Sequence, residues 1–327
     1  MTRRLVVDFA SQGPAWKMPP ASVQAVREAL GAGWEVIEDD AARAASGTEI
    51  YFGYGIPSAF ATAARGTLRW VHSGTAGVGG SLALLAGAGI ILTNSAGIHA
   101  EPIADWVIAS IAYFARSLDW MVDLQRRHRW AREEFAALEF PMPELRDVRV
   151  GVFGLGGLGS AVAVRALALG MPVAGVRRRP ERGGPTGVRW VGGMGDLPRL
   201  AAESDCLVIA APHTPDTVGA VNADILARLP AGALVINISR GSLLVEADLV
   251  QALDRGALRG AALDVFEREP LPADHPFWDH PRVLVSPHAA ARTPRFWERE
   301  GALILENIRR YLARQPLLNV VDQEAGY

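Results

Sequence analysis

The chain has 327 residues, 50% of them apolar and 21% charged; at roughly 150 residues per domain this suggests about two globular domains and excludes disordered and fibrous classes. With 33 basic against 35 acidic residues the formal net charge is −2, which offers no electrostatic footprint for nucleic acid and no polybasic segment for an anionic membrane. Lys17 is the only lysine, in the unpromising context Trp16-Lys17-Met18-Pro19-Pro20, and Cys206 the only cysteine, so lysine-dependent Schiff-base, P-loop and kinase chemistry, an intrachain disulfide and a Cys-based zinc site are all excluded.

The first hundred residues alternate short apolar strands with helical patterns. Strands are expected at Leu5 to Phe9, Trp34 to Ile37, Ile50 to Phe52, Leu68 to His72 and Ile90 to Thr93, and helices near 21–30, 57–65 and 80–86. The opening segment has too short an apolar core for a signal peptide. No Asp, Glu, Lys or Arg lies between Arg69 and Glu101, but the seven glycines and scattered polar residues there read as loop, helix and strand and not as a membrane span. From Glu101, with Pro102 in the first turn, a helical pattern runs to about Arg127. A second strand series follows at Arg149 to Phe153, Pro172 to Val176, Val188 to Val191, Leu207 to Ala210, Leu234 to Ile238, Ala261 to Val265 and Val283 to Ser286, and a helix from about Pro294 to Ala313 closes the chain. Strands apolar on both faces and separated by helices predict an α/β protein with two doubly wound, mostly parallel sheets.

The strongest local signal is Gly154-Leu155-Gly156-Gly157-Leu158-Gly159. In a chain with 34 glycines, chance alone supplies roughly a third of a GxGxxG match. Here an apolar strand leads into the motif and a helix-forming run follows, the arrangement that cradles a dinucleotide pyrophosphate. The next strand, Pro172 to Val176, ends in Arg177-Arg178-Arg179 with no acid before Glu181. An acid there selects NAD and an arginine accommodates a 2′-phosphate, so NADP(H) is the expected preference, with NAD(H) possible.

Three further polar groups stand near the carboxyl ends of apolar strands, where open α/β sheets bind ligands. Arg240 follows Leu234 to Ser239, Asp264 interrupts Ala261 to Phe266 just before Glu267 and Glu269, and His288 follows Val283 to Pro287. A cation for a carboxylate, an imidazole to protonate a carbonyl and a carboxylate to keep that imidazole charged make a set suited to hydride transfer to a 2-oxo acid. Each alone has a duller reading, as surface arginine, strand cap or core histidine. The seven histidines (72, 99, 128, 213, 275, 280 and 288) show no metal-ligand spacing, so no metal is expected.

From about Arg69 to Ala291 the chain resembles the D-isomer-specific 2-hydroxyacid dehydrogenases. The likeness rests on the glycine motif, Asn237-Ile238-Ser239-Arg240-Gly241, Leu263-Asp264-Val265-Phe266-Glu267-Arg268-Glu269-Pro270 and Ser286-Pro287-His288-Ala289-Ala290. It implies two Rossmann-like domains of the formate/glycerate dehydrogenase type: a flavodoxin-like substrate domain of residues 1–98 and 288–327, and a dinucleotide-binding domain of residues 99–287. It further implies that Arg240 binds substrate and acts in catalysis, that Glu269 pairs with the acid/base His288, and that Asp264 contacts the nicotinamide end. Pro212, His213, Thr214, Ile238 and Ser239 would join Gly154, Gly156, Gly157, Leu158, Gly159, Arg177 and Arg178 around the cofactor. Ser73, Gly74, Thr75, Ala76 and Gly77 look like the loop whose amides hold the substrate carboxylate.

Within the family the chain looks most like the glyoxylate/hydroxypyruvate reductase branch; the family resemblance implies a homodimer formed through the helix that starts near Glu101, and the single cysteine fits a cytoplasmic, reducing location. Asp105 replaces a frequent Glu, and Gly79-Gly80 an Asp, which leaves the choice of 2-oxo acid open. The alternatives are an NAD-dependent dehydrogenase of another substrate and, outside the enzymes, a dinucleotide-sensing binding protein.

Overall fold

The computed structural model describes residues 2–9, 16–38, 44–135, 140 and 142–322. Its strands form where apolar side chains are covered on both faces. In β1 (Arg3–Asp8), Leu5 and Val7 pack with Phe52, Trp70, Ile304 and Ile308, while the intervening Val6 turns the opposite way onto Tyr51, Val71 and Leu92. Each fully buried valine or leucine of this kind contributes about 1.5–3 kcal/mol.

Packing divides the chain into two compact units, Met1–His99 with Thr293–Tyr327, and Ala100–Arg292. The first contains a parallel sheet of β1, β2 (Trp34–Glu38), β3 (Thr48–Gly53), β4 (Trp70–Ser73) and β5 (Ile91–Asn94) in the order β2-β1-β3-β4-β5. Helices Pro20–Leu30 and Phe296–Leu312 supply one face of its core, and helices Ser58–Ala63 and Gly79–Leu85 the other.

The second unit contains β6 (Val150–Phe153), β7 (Val173–Val176), β8 (Val191–Gly192), β9 (Cys206–Ile209), β10 (Ala233–Asn237), β11 (Leu258–Leu263) and β12 (Val283–Val285). Their order is β12-β11-β10-β9-β6-β7-β8, again parallel throughout. Among the described residues no helix is long and apolar enough to cross a membrane.

Three boundaries differ from expectation. The helix expected to run from Glu101 to Arg127 is two helices, Ala100–Ala115 and Leu118–Arg126. Between them Ser117 takes a left-handed φ of 52°, where Arg259, reaching over from β11, forks onto Asp119 at 2.6 and 2.8 Å. A half-buried bidentate pair outweighs the local preference to continue one helix. The strand expected at Val188 to Val191 narrows to Val191–Gly192, although Arg189 and Trp190 still hydrogen-bond to β7. Finally, residues 288–292 pack with the second unit, because the buried Asp264 carboxylate holds the amides of Ala289 and Ala290.

Candidate active site

Both sheets reverse their strand order beside the first strand, and the crevice outside the carboxyl ends at such a point is where open α/β sheets take ligands. In the second unit the reversal falls between β6 and β9. Gly154 ends β6 with φ +106°, and a Cβ there would stand 2.3 Å from the Ala211 nitrogen. A Cβ on Gly159 would stand 2.0 Å from the Gly154 oxygen, so helix Gly157–Ala168 starts hard against the strand. Gly156 differs: a Cβ there would meet nothing within 4 Å, and Gly156 and Gly157 are exposed while Leu158 packs partly into the core. Two glycines close the turn and the middle one keeps a cradle open at a helix N-terminus, which fits a pyrophosphate.

Around this cradle, Arg177 is half-buried and donates through Nη1 to the Gly183 carbonyl at 2.8 Å, while Arg178 and Arg179 are exposed. The turn after β9 is closed by Thr217, which donates to the Pro212 carbonyl at 2.6 Å and accepts from the Thr214 amide at 2.8 Å. His213 is exposed, with Nδ1 3.5 Å from the Ser242 hydroxyl. Ile238 and Ser239 are buried, and the Ser239 hydroxyl donates to the Ala211 carbonyl, so this serine ties the ends of β9 and β10 together.

Arg240 is set by its neighbours. The Asn237 side chain accepts from the Ser239 amide at 3.1 Å and donates to the Arg240 carbonyl at 3.0 Å, fixing the peptide before and after the arginine's nitrogen. A Cβ on Gly241 would lie 1.8 Å from the Phe266 carbonyl carbon, so only glycine lets this turn reach the loop that carries Glu269. The Arg240 Nη1 donates to Ser239 at 2.5 Å.

Glu269 accepts from the Phe266 amide at 3.0 Å through Oε1 and lies 2.8 Å from His288 Nδ1 through Oε2. His288 stands at φ +53°, a conformation that costs a non-glycine residue on the order of 1 kcal/mol. Its loop is held there by Asp264, whose Oδ1 accepts from the Ser286 hydroxyl at 2.6 Å and from the Ala289 and Ala290 amides at 2.8 and 3.0 Å. Burial pushes the Asp264 carboxyl above its ordinary range despite these donors. Asp264, expected at the nicotinamide end, is thus an anchor for the segment bearing His288. Both its Oδ1 role and the Asn237 clamp escaped the sequence reading, where the available signal was a polar residue inside an otherwise apolar strand.

In the first unit the loop after β4 is held by its carbonyls. The Thr75 carbonyl accepts from the Ser95 amide at 3.3 Å and the Ala76 carbonyl from the Asn94 side chain at 2.8 Å, while the Ser95 hydroxyl lies 3.0 Å from the Ser73 carbonyl. A trans peptide points its C=O and the following N–H in opposite directions, so the Ala76 and Gly77 amides face away from the Asn94-Ser95 segment. Among the described residues neither has an acceptor. The Thr75 hydroxyl donates to Gly77, and Gly74 is pressed against Phe9 and Tyr54, 2.6 and 3.0 Å from where a Cβ would sit. Consecutive outward amides make an anion-binding concavity.

Residues 108–290 match the family described as D-isomer specific 2-hydroxyacid dehydrogenase, NAD binding domain. Glyoxylate/hydroxypyruvate reductase A of Escherichia fergusonii is 35% identical over 229 residues, 69% of each chain. Among solved structures, a probable 2-hydroxyacid dehydrogenase from Rhizobium etli in complex with NADP, HEPES and L(+)-tartaric acid covers both chains fully at 28% identity and a TM-score of 0.82. An NADPH-dependent glyoxylate/hydroxypyruvate reductase from Sinorhizobium meliloti in complex with NADP and sulfate is 31% identical over 99% of each chain, with a TM-score of 0.81.

Proposed function

The chain belongs to the D-isomer-specific 2-hydroxyacid dehydrogenase family of oxidoreductases, and from that premise we propose that it is an NADPH-preferring reductase of small 2-oxo acids, glyoxylate or hydroxypyruvate first among them. The observation that carries the reading is the half-exposed His288, held on Glu269 beside the turn that bears Arg240.

The glycine cradle at Gly154, Gly156 and Gly159 and the run Arg177 to Arg179 would hold the dinucleotide, the arginines favouring a 2′-phosphate. When bound, the cofactor supplies a hydride to the substrate's carbonyl carbon. Arg240 binds the substrate carboxylate, its planar guanidinium matching two oxygens at once. The outward amides of the Ser73 to Gly77 loop are by themselves suited to a carboxylate. Glu269 accepts from Nδ1 of His288, which leaves Nε2 as the nitrogen that donates a proton to the carbonyl oxygen. The carbonyl becomes a hydroxyl, and His288, 49% exposed at its side chain, recovers its proton from solvent. The NADP-bound relatives and the 35% identical reductase of E. fergusonii support the choice of cofactor and substrate class.

The test is oxidation of NADPH and of NADH by the purified protein against a panel of 2-oxo acids. Turnover with glyoxylate or hydroxypyruvate at a kcat/KM higher for NADPH is expected; no consumption with any 2-oxo acid would overturn the reading.

The protein is further proposed to act as a homodimer. On the helix Ala100–Ala115, where the dimer contact is expected, Ile111 and Phe114 are buried in the second unit's own core, but the helix Leu118–Arg126 leaves Leu118, Met121 and Val122 exposed on one face, spacing suited to a partner helix. Sedimentation should give twice the chain mass at micromolar concentration, and a stable monomer would contradict this.

A further inference from the structure

A second imidazole–carboxylate pair lies in the first unit and has no part in the mechanism above. His72, in β4, and Glu300, in the helix Phe296–Leu312, are both fully buried, with His72 Nε2 2.8 Å from Glu300 Oε1. The surroundings are apolar: the His72 ring sits 5.7 Å from that of Phe52, and Trp70, Ile304 and Ile308 share the same face of the sheet. Replacing such a pair with well-packed apolar side chains is often neutral or stabilising, so fold stability alone gives little reason for it. Its hydrogen bonds lead elsewhere. The same Glu300 Oε1 accepts from the Ser95 hydroxyl at 2.8 Å, and that hydroxyl also lies 3.0 Å from the Ser73 carbonyl. On the other side of the ring, His72 Nδ1 lies 2.8 Å from the Thr93 hydroxyl, which also accepts from Trp70 Nε1 at 2.8 Å. The pair therefore joins the ends of β4 and β5 to the closing helix directly beneath residues 73–77. Glu300 Oε2, buried and without a hydrogen-bond partner among the described residues, adds nothing to this tie, so the directional role falls to Oε1.

We propose that the buried His72–Glu300 pair is a positioning element for the carboxylate-binding loop: Glu300 accepts from the Ser95 hydroxyl and so orients Ser95, the Ser95 amide holds the Thr75 carbonyl, and the outward aim of the Ala76 amide follows. None of the three side chains touches substrate. The inference rests on the proposed role of the loop, but the state of the loop itself can be measured without turnover.

The experiment compares wild type with the double variant His72→Leu/Glu300→Leu and the single variant Ser95→Ala, using amide hydrogen exchange over residues 73–77 and steady-state kinetics with glyoxylate and NADPH. Both variants should exchange at least tenfold faster in that segment, with β1 and β3 unchanged. Their KM for glyoxylate should rise about tenfold, with kcat and the KM for NADPH within twofold of wild type. A merely structural role would lower the thermal midpoint without splitting KM from kcat, and unchanged exchange in the loop would overturn the proposal. Should the double variant fail to fold, Ser95→Ala, which removes only one hydroxyl, decides by the same two readouts. If wild type turns over no 2-oxo acid, the functional reading fails, while the exchange data still decide whether the pair positions the loop.

Discussion

Two imidazole–carboxylate pairs, both at 2.8 Å, sit in the two units of this protein under opposite conditions. The side chains of His288 and Glu269 are 49% and 36% exposed, and those of His72 and Glu300 are 0% and 0%. An imidazole open to solvent can give up a proton and recover it; a sealed one can only hold its neighbours in place. The contact distance is the same in both, so access to water separates the pair proposed for the chemistry from the pair proposed as a scaffold. The two proposed anion sites differ as well. The second unit presents guanidinium and imidazole side chains, whereas the first presents backbone amides turned outward by carbonyls pinned at Asn94 and Ser95.

The contrast can be broken most directly by removing one carboxylate from each pair. Glu300→Ala strands a buried imidazole and should lower the unfolding free energy by about 3–5 kcal/mol, read by urea denaturation. Glu269→Ala in the solvent-screened pair should change it by less than about 1 kcal/mol, and equal losses would erase the distinction. On the open side, Arg177→Asp should cut the NADPH-to-NADH ratio of kcat/KM by about a hundredfold, roughly 2.7 kcal/mol; an unaltered ratio would remove Arg177 from cofactor recognition. Glu269→Gln, which keeps the shape but not the charge, should lower kcat about tenfold and leave the KM for NADPH in place.

The smallest effect concerns Asp264, where burial holds the carboxyl above the ordinary aspartate value of 3.8. The folded chain then binds this proton more readily than the unfolded one, so the group's contribution to stability falls as pH rises from the ordinary value through the raised one and is level above it. Asp264→Asn should abolish that slope in denaturation curves taken from about pH 3 to pH 6. A slope identical to wild type would place the titration on another group.

The strands, the glycine turn and the order of Arg240, Glu269 and His288 were legible because each lies in a contiguous run: an apolar strand followed by its polar end. What was not legible depends on contacts between distant segments. Glu300 is 228 residues from His72, and nothing in the helical pattern of Phe296–Leu312 distinguishes a buried glutamate from a solvated one. The break at Ser117 depends on Arg259, 140 residues beyond Asp119. The loop at Ser73 to Gly77 was located by its likeness to the family's substrate loop, but the aim of its amides depends on the Thr75 and Ala76 carbonyl bonds, which spacing does not encode.

Whether the exposed pair performs the proposed chemistry is decided by the rate of NADPH oxidation with glyoxylate by His288→Ala beside wild type, with the thermal midpoints of both. The expected result is a fall in kcat of about a thousandfold at an unchanged midpoint. Turnover near the wild-type rate would contradict it.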